Sequence, residues 1–456
     1  MSDSTGAQSV LLPRLRLARA VDGVRVTQEE MMGGEAALSS AADALDALHD
    51  SGKVGFLNLA WEDWQIPRCN EVAAELAAHG STMLLLGIGG SALGARAIVA
   101  GLPDSIRGDR SLEILDTIDP AGVTRCLASL DPADTVVVAV SKSGSTVETV
   151  ALLRLCIEWL SDAVGDNWTQ RVAVITDPET GPLRQLAQAR GLQSLPVPND
   201  VGGRFSVLTA VGMLPASFLG LDTNAFWTGA LAQRDAVLER SLENNSAWQF
   251  AWAHHCWRQH LSSSVWLTYC DQLLELGFWF RQLLGESLGK VGAQGERLGW
   301  TPLVARGPAD QHSMLQLWRD GPRNELFTIL HVDAAKEGPV IPGLRGAESK
   351  PGLWLKGHTL GELSSAARRG TTASLVDSAA PVMELSLDRL DEAVLGALFV
   401  LLESGVALMG ILNGVDPFDQ PAVEDAKRYA AGLLGRQDCA ADAARALALL
   451  EALDER

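Results

Sequence analysis

Along this chain, short unbroken apolar runs take turns with longer stretches of helical period. The clearest switch is at residues 136–149, VVVAVSKSGSTVET. Five apolar residues, mostly β-branched, predict a strand covered on both faces, as a parallel sheet requires; small hydroxyl residues around Gly144 follow, and then a helix. The pattern recurs on either side. Residues 82–88 predict a buried strand that runs into Gly87-Ile88-Gly89-Gly90-Ser91, with a helix over 92–100. A strand is expected at 112–115, a helix at 120–129, the strand proper of the opening motif at 136–140, a helix at 147–160 and a strand at 171–175. Such alternation implies a doubly wound parallel sheet, with ligands beyond the carboxyl ends of its strands.

A turn-rich stretch after Pro178 leads to a helix from Val207 and then to a second set. Residues 226–260 predict a long helical region, 265–269 a strand and 273–284 a helix. Strands are expected at 301–304, 327–331 and 382–387, a loop at 343–352 and a core helix at 390–412. Ahead of the first sheet, 38–48 and 68–79 read as amphipathic helices, with Met31-Met32-Gly33-Gly34 as a break. The expected class is α/β: a helical arm over 1–60, two halves over 61–225 and 226–415, each a mainly parallel sheet flanked by helices, and a C-terminal helical segment over 416–456.

Composition narrows the function. With 37 basic and 56 acidic residues the chain carries −19, which argues against a general nucleic-acid or anionic-membrane surface. An anionic substrate must therefore find a local positive site. Residues 1–9 are small and polar, so no secretion signal is expected. The apolar run 393–412 carries Glu403 near its middle and reads as a core helix, not a membrane span. Six cysteines without a CxxC pair suit free thiols in a reducing cytoplasm.

At 141–146, Ser141, Lys142, Ser143, Ser145 and Thr146 offer hydroxyls, one ammonium and the positive end of a helix dipole at a single strand-to-helix junction. Such a point suits a phosphate, and it equally suits a helix-capping turn. The turn at Gly87 and Gly89 invites a dinucleotide reading with Asp116 at the ribose position, but Ala92 stands where the third glycine belongs. Arg204, after two glycines and before a helix, is either an anion-binding guanidinium or a surface residue. His254, His255, Cys256 and His260 raise a metal reading, set against a Trp-rich packing helix. Gln282, Glu286 and Lys290, four apart, fall on nearly one helix face, lining a site or facing solvent. His312 is an acid/base candidate by type alone. Gln420 and Lys427 lie seven apart, two turns along one face.

Taken together, GIGGSALGARA from Gly87, VSKSGSTVET from Val140, GGRFSVLTAVG from Gly202, QLLGESLGK from Gln282, QHSMLQL from Gln311 and FDQPAVEDAK from Phe418 resemble, in order and separation, the motifs of the glucose-6-phosphate isomerase family, especially its shorter bacterial branch. The resemblance spans about residues 80–435. It implies two sugar-isomerase (SIS) subdomains with the site between them, closed by the C-terminal segment and completed by a partner subunit in a cytoplasmic homodimer. It also implies Ser141, Lys142, Ser143, Ser145 and Thr146 as a phosphate clamp and Gly89, Gly90 and Ser91 as the sugar lining. Glu286 takes the part of the base between C1 and C2, Arg204 that of enediolate stabiliser, and His312 and Lys427 those of ring-opening groups. Gln282 and Gln420 become hydrogen-bonding residues, with no metal or other cofactor. Two departures stand out: Ala422 where glycine is common, and VDPFDQ in place of NPFDQ.

The residue chemistry agrees with an aldose–ketose isomerisation of glucose 6-phosphate and fructose 6-phosphate through a cis-enediol, a step of glycolysis and gluconeogenesis. That reaction needs ring opening, removal of a proton α to a carbonyl and its return to the next carbon, and one carboxylate serves both transfers. The rival readings are an isomerase that also takes mannose 6-phosphate, a silent SIS sugar-phosphate sensor and, more remotely, a dinucleotide enzyme. A sensor needs the clamp but not the proton-transfer set.

Overall fold

The computed structural model describes residues 12–17, 33–58, 65–103, 108–333, 337–343 and 352–454. Residues 1–9, Met31, Met32 and most of the loop expected at 343–352 lie outside them. The strands are β1 (Arg14–Leu17), β2 (Thr82–Leu86), β3 (Ser111–Leu115), β4 (Thr135–Ser141), β5 (Val172–Thr176), β6 (Gln193–Pro196), β7 (Ser263–Thr268), β8 (Lys290–Val291), β9 (Arg297–Leu298), β10 (Thr301–Arg306), β11 (Glu325–Val332) and β12 (Val382–Leu387).

The first sheet runs β3-β2-β4-β5-β6, all parallel. Every residue of β4 is buried, as its unbroken apolar run predicts, whereas edge strand β3 alternates between exposed and covered positions. The strand order reverses between β2 and β4, so residues 87–91 and 141–146 follow neighbouring strands at the switch point, where α/β sheets bind ligands. The second sheet runs β1-β12-β11-β7-β10. Its last four are parallel and reverse between β7 and β11, while β1 pairs antiparallel with β12. Helices flank both sheets, so the fold class is the α/β one expected.

At the centre lies the helix Glu392–Leu412, buried at every residue from Val394 to Gly410 and capped by Asp391, which accepts from the Val394 N–H. Among the described residues it is the one helix long and apolar enough to cross a membrane, and protein covers it. The helices Glu35–Asp50, Thr223–Leu238, Ser246–Trp257 and Leu274–Leu288 pack against it.

Four local expectations need correction. The N-terminal arm contributes strand β1 as well as the helix Glu35–Asp50. The helical region at 226–260 is two helices, Thr223–Leu238 and Ser246–Trp257. Asn245 makes the break: its amide donates to the carbonyls of Ala236, Val237 and Glu239 while its oxygen caps the second helix at the Trp248 N–H. The helix expected to end at 284 runs on to Leu288 and stops before Lys290, which opens β8, so only Gln282 and Glu286 share its face. Gln420 precedes a 3-10 turn, Pro421–Val423, and the helix Glu424–Leu433 begins after it, so Gln420 and Lys427 do not ride one continuous helix.

The chain divides into two compact units, Met1–Pro417 and Phe418–Arg456. The boundary expected at 225 falls between the strands of the two sheets, but both sheets belong to the first unit. In the second unit the helices Glu424–Leu433 and Ala440–Asp454 are linked by an ion pair of Arg428 with Asp442, 2.6 Å.

Candidate active site

The glycine turn after β2 is where the first unit gathers its chemistry. Gly89 has φ +57°, a conformation that side chains disfavour, and a Cβ there would sit 2.8 Å from Gln282 Nε2. A Cβ on Gly90 would lie 2.4 Å from the Gly203 carbonyl. The turn therefore touches both the helix Leu274–Leu288 and the Gly202-Gly203-Arg204 segment, which only glycine permits. Gly89, Gly90, Arg204, Gln282 and Glu286 are thus brought together from three separate stretches of sequence.

Glu286 is held through both carboxylate oxygens. Gln282 Nε2 donates to Oε1 at 3.0 Å, the i,i+4 geometry its spacing predicts, and Arg204 Nη1 donates to Oε2 at 3.3 Å. The Glu286 side chain keeps 36% of its surface exposed, whereas that of Arg204 keeps 2%. A charge so buried needs several partners. Nε of Arg204 donates to Ser287 Oγ at 2.8 Å, Nη2 donates to the Pro417 carbonyl, and the guanidinium lies 5.5 Å from the Phe205 ring centre. The cation is fixed, and the carboxylate beside it stays accessible. Gln282 Oε1 is buried without a hydrogen-bond partner among the described residues, an acceptor suited to a hydroxyl.

The second loop, 141–146, is closed on itself. Ser141 and Thr146 share a hydroxyl–hydroxyl bond of 2.8 Å, Ser145 Oγ donates to Ser143 Oγ at 2.9 Å, and Gly144 N–H donates to the Ser141 carbonyl at 3.0 Å. Ser143 and Ser145 are exposed at the start of the helix Val147–Val164, and Ser91 is partly exposed after β2. Lys142 Nζ donates to the Asn199 carbonyl at 3.0 Å, which ties this loop to the segment leading into Arg204. Burial pulls the Lys142 ammonium below its ordinary range, opposed by the nearby Asp200 and Asp177.

The remaining candidates lie on other elements. His312 is exposed on the short helix Ala309–Ser313, and the described contacts do not bring it to Glu286. Its neighbour Gln311 accepts from the Tyr269 hydroxyl at 3.1 Å. Gln420 and Lys427 lie in the second unit, where Lys427 pairs with Glu424 at 2.7 Å. Asp116 is engaged by Arg96 at 2.9 and 3.2 Å, which removes it from the ribose reading. His254 has both ring nitrogens occupied, by the Phe250 carbonyl and by Ser264 Oγ, each at 3.0 Å, and His255 stacks on Trp252; this is packing chemistry. Sequence reasoning passed over Ser287 and the Pro417 and Asn199 carbonyls. Ser287 follows Glu286 directly and so falls off the i,i+4 face, and a backbone carbonyl has no residue signature.

Comparisons with known proteins identify relatives of the chain. The family model for phosphoglucose isomerase matches residues 76–336. A glucose-6-phosphate isomerase of Thermus thermophilus is 39% identical over 372 residues, 80% of this chain and 88% of that one. One of Carboxydothermus hydrogenoformans is 33% identical over 428 residues, 91% of this chain and 92% of that one. Among solved structures, a hypothetical protein of Thermus thermophilus superposes with TM-score 0.85 at 36% identity, covering 92% of this chain and 100% of that one. A glucose-6-phosphate isomerase of Chlamydia trachomatis shares the fold, with TM-score 0.79 at 20% identity over 94% of this chain and 90% of that one. With the matched segment holding β2, β4, Arg204 and Glu286, the chain belongs to the phosphoglucose isomerase family.

Proposed function

We propose that this chain interconverts glucose 6-phosphate and fructose 6-phosphate through a cis-enediol. The observation that carries the reading is Glu286, an accessible carboxylate fixed beside the buried guanidinium of Arg204. Glu286 takes the proton from C2 of the open-chain aldose and returns it to C1. The charge that grows on the enediolate oxygens falls to Arg204, which stays charged and does not compete for the proton. Gln282 orients Glu286 through one oxygen and offers its own carbonyl to a sugar hydroxyl. Ser141, Lys142, Ser143, Ser145 and Thr146 hold the phosphate, with Gly89, Gly90 and Ser91 along the sugar, and binding far from the reacting carbons supplies positioning. His312 and Lys427 assist ring opening and Gln420 binds the sugar. The exposure of His312 supports a homodimer in which it serves the site of a second copy. A net charge of −19 and six free cysteines suit the cytoplasm.

The test is conversion of fructose 6-phosphate by the purified chain in EDTA, with any glucose 6-phosphate coupled to its dehydrogenase. Sustained turnover is expected. Folded protein that binds fructose 6-phosphate without converting it would contradict the reading and leave a sensor.

A further inference from the structure

The second sheet also reverses its strand order, between β7 and β11, and its carboxyl end carries charge that the isomerisation does not use. There lies a cavity of about 800 Å³, none of whose lining residues belongs to the candidate active site. Arg14 and Arg16 reach it from β1, His331 from β11, and Arg368 and Arg369 from the helix Leu360–Asp377. Sheet register explains the polar floor. Arg14 stands opposite Ser386 and Ser386 opposite His331, so one row across three strands presents polar side chains to the same face. Arg16 and Glu384 form the next row on that face.

Carboxylates neutralise only part of this charge. Arg14 donates to Asp388 at 2.5 Å and to Asp333 at 3.4 Å, and Glu384 accepts from Arg368 at 2.7 Å. Among the described residues no ion pair engages Arg16 or Arg369, so four guanidinium groups meet three carboxylates, Asp333 and Glu384 in the lining and Asp388 beside it. Within a chain of net charge −19 this is a local inversion of the field. Burial works against the Arg368 charge and Arg369 beside it adds repulsion, with Glu384 and Asp333 opposing both. An anion between the two arginines relieves that strain, and planar guanidinium forks match phosphoryl oxygens. The volume falls in the range of cavities that hold small organic ligands, roughly 300–1,000 Å³, and exceeds what one inorganic phosphate fills.

We propose that this cavity binds an organic phosphate bearing two or more negative charges, held by Arg16 and Arg369 with a hydroxyl contact from Ser365. Such a ligand joins the edge strand β1 to the helix Leu360–Asp377. It sits apart from the sugar phosphate being turned over.

Inorganic pyrophosphate is the minimal probe, titrated calorimetrically into the full chain at constant ionic strength. A Ser143→Ala/Ser145→Ala background removes the other phosphate-binding loop from the reading. Binding is expected to persist there and to weaken about tenfold or more when Arg16→Gln and Arg369→Gln are added, since each loses a charge-assisted contact. Both arginines are exposed, so these variants keep the fold. Made in the parent chain, they leave fructose 6-phosphate turnover without pyrophosphate unchanged. Equal affinity with and without the two arginines, or no binding in the Ser143→Ala/Ser145→Ala background, would overturn the proposal while leaving the isomerase reading intact.

Discussion

In the proposed site, Glu286 and Arg204 pose a problem in which a base must stay reachable while its neighbouring cation stays fixed. The geometry solves it by asymmetric burial. Arg204 is sunk and held at Nε, Nη1 and Nη2, and Glu286 is tethered at each oxygen yet open on one side. Ser287 is a positioning residue in the proposed site, because it acts through the Arg204 guanidinium, whose Nε donates to its hydroxyl. Ser287→Ala removes a hydrogen bond to a charged group, worth about 1.5 kcal/mol or more, so kcat should fall about tenfold with KM little changed. Steady-state kinetics separates the two, and a rise in KM alone would place Ser287 in ground-state binding. The pairing of Gln282 with Glu286 was legible from spacing, because four residues make a helical neighbour. Lys290 was misplaced by the same rule, since spacing does not say where a helix stops.

At the scale of elements, the parallel strands were legible as unbroken apolar runs and the switch point as two glycine- and hydroxyl-bearing loops. The long helical region at 226–260 was not resolved into two, although Asn244-Asn245-Ser246 is the turn and cap signal at which Asn245 breaks it through three carbonyls. Its second part, Ser246–Trp257, docks on β7 through His254 and Ser264. Burial holds the His254 imidazole from its ordinary 6.5 down to about 4, so the fold keeps it neutral. The unfolded chain takes up a proton below pH 6.5, so this contribution is complete above that pH and is lost as pH falls through about 4. The gap corresponds to about 3 kcal/mol at its limit. Thermal unfolding followed from pH 7 to pH 4 should therefore be steeper in the parent than in His254→Gln. Parallel curves would assign the acid sensitivity to other groups.

Over the whole molecule, four parallel strands of each sheet repeat one order without repeating a sequence, because topology asks only for the alternation of buried strands and amphipathic helices. Strand β1 shows the limit of such reading: RLRL alternates as an edge strand does, but four residues hardly stand out in a stretch expected to be helical. The overall charge of −19 confines anion binding to built sites, and two are proposed, one at the loop 141–146 and one beside β1. In the proposed reaction a single carboxylate carries the proton between neighbouring carbons. Glu286→Gln, assayed in heavy water with fructose 6-phosphate, tests that most directly. The parent should form glucose 6-phosphate with deuterium at C2, while the variant should bind the sugar phosphate with near-parent affinity and show neither turnover nor exchange. Deuterium incorporation or turnover retained in Glu286→Gln would contradict the account.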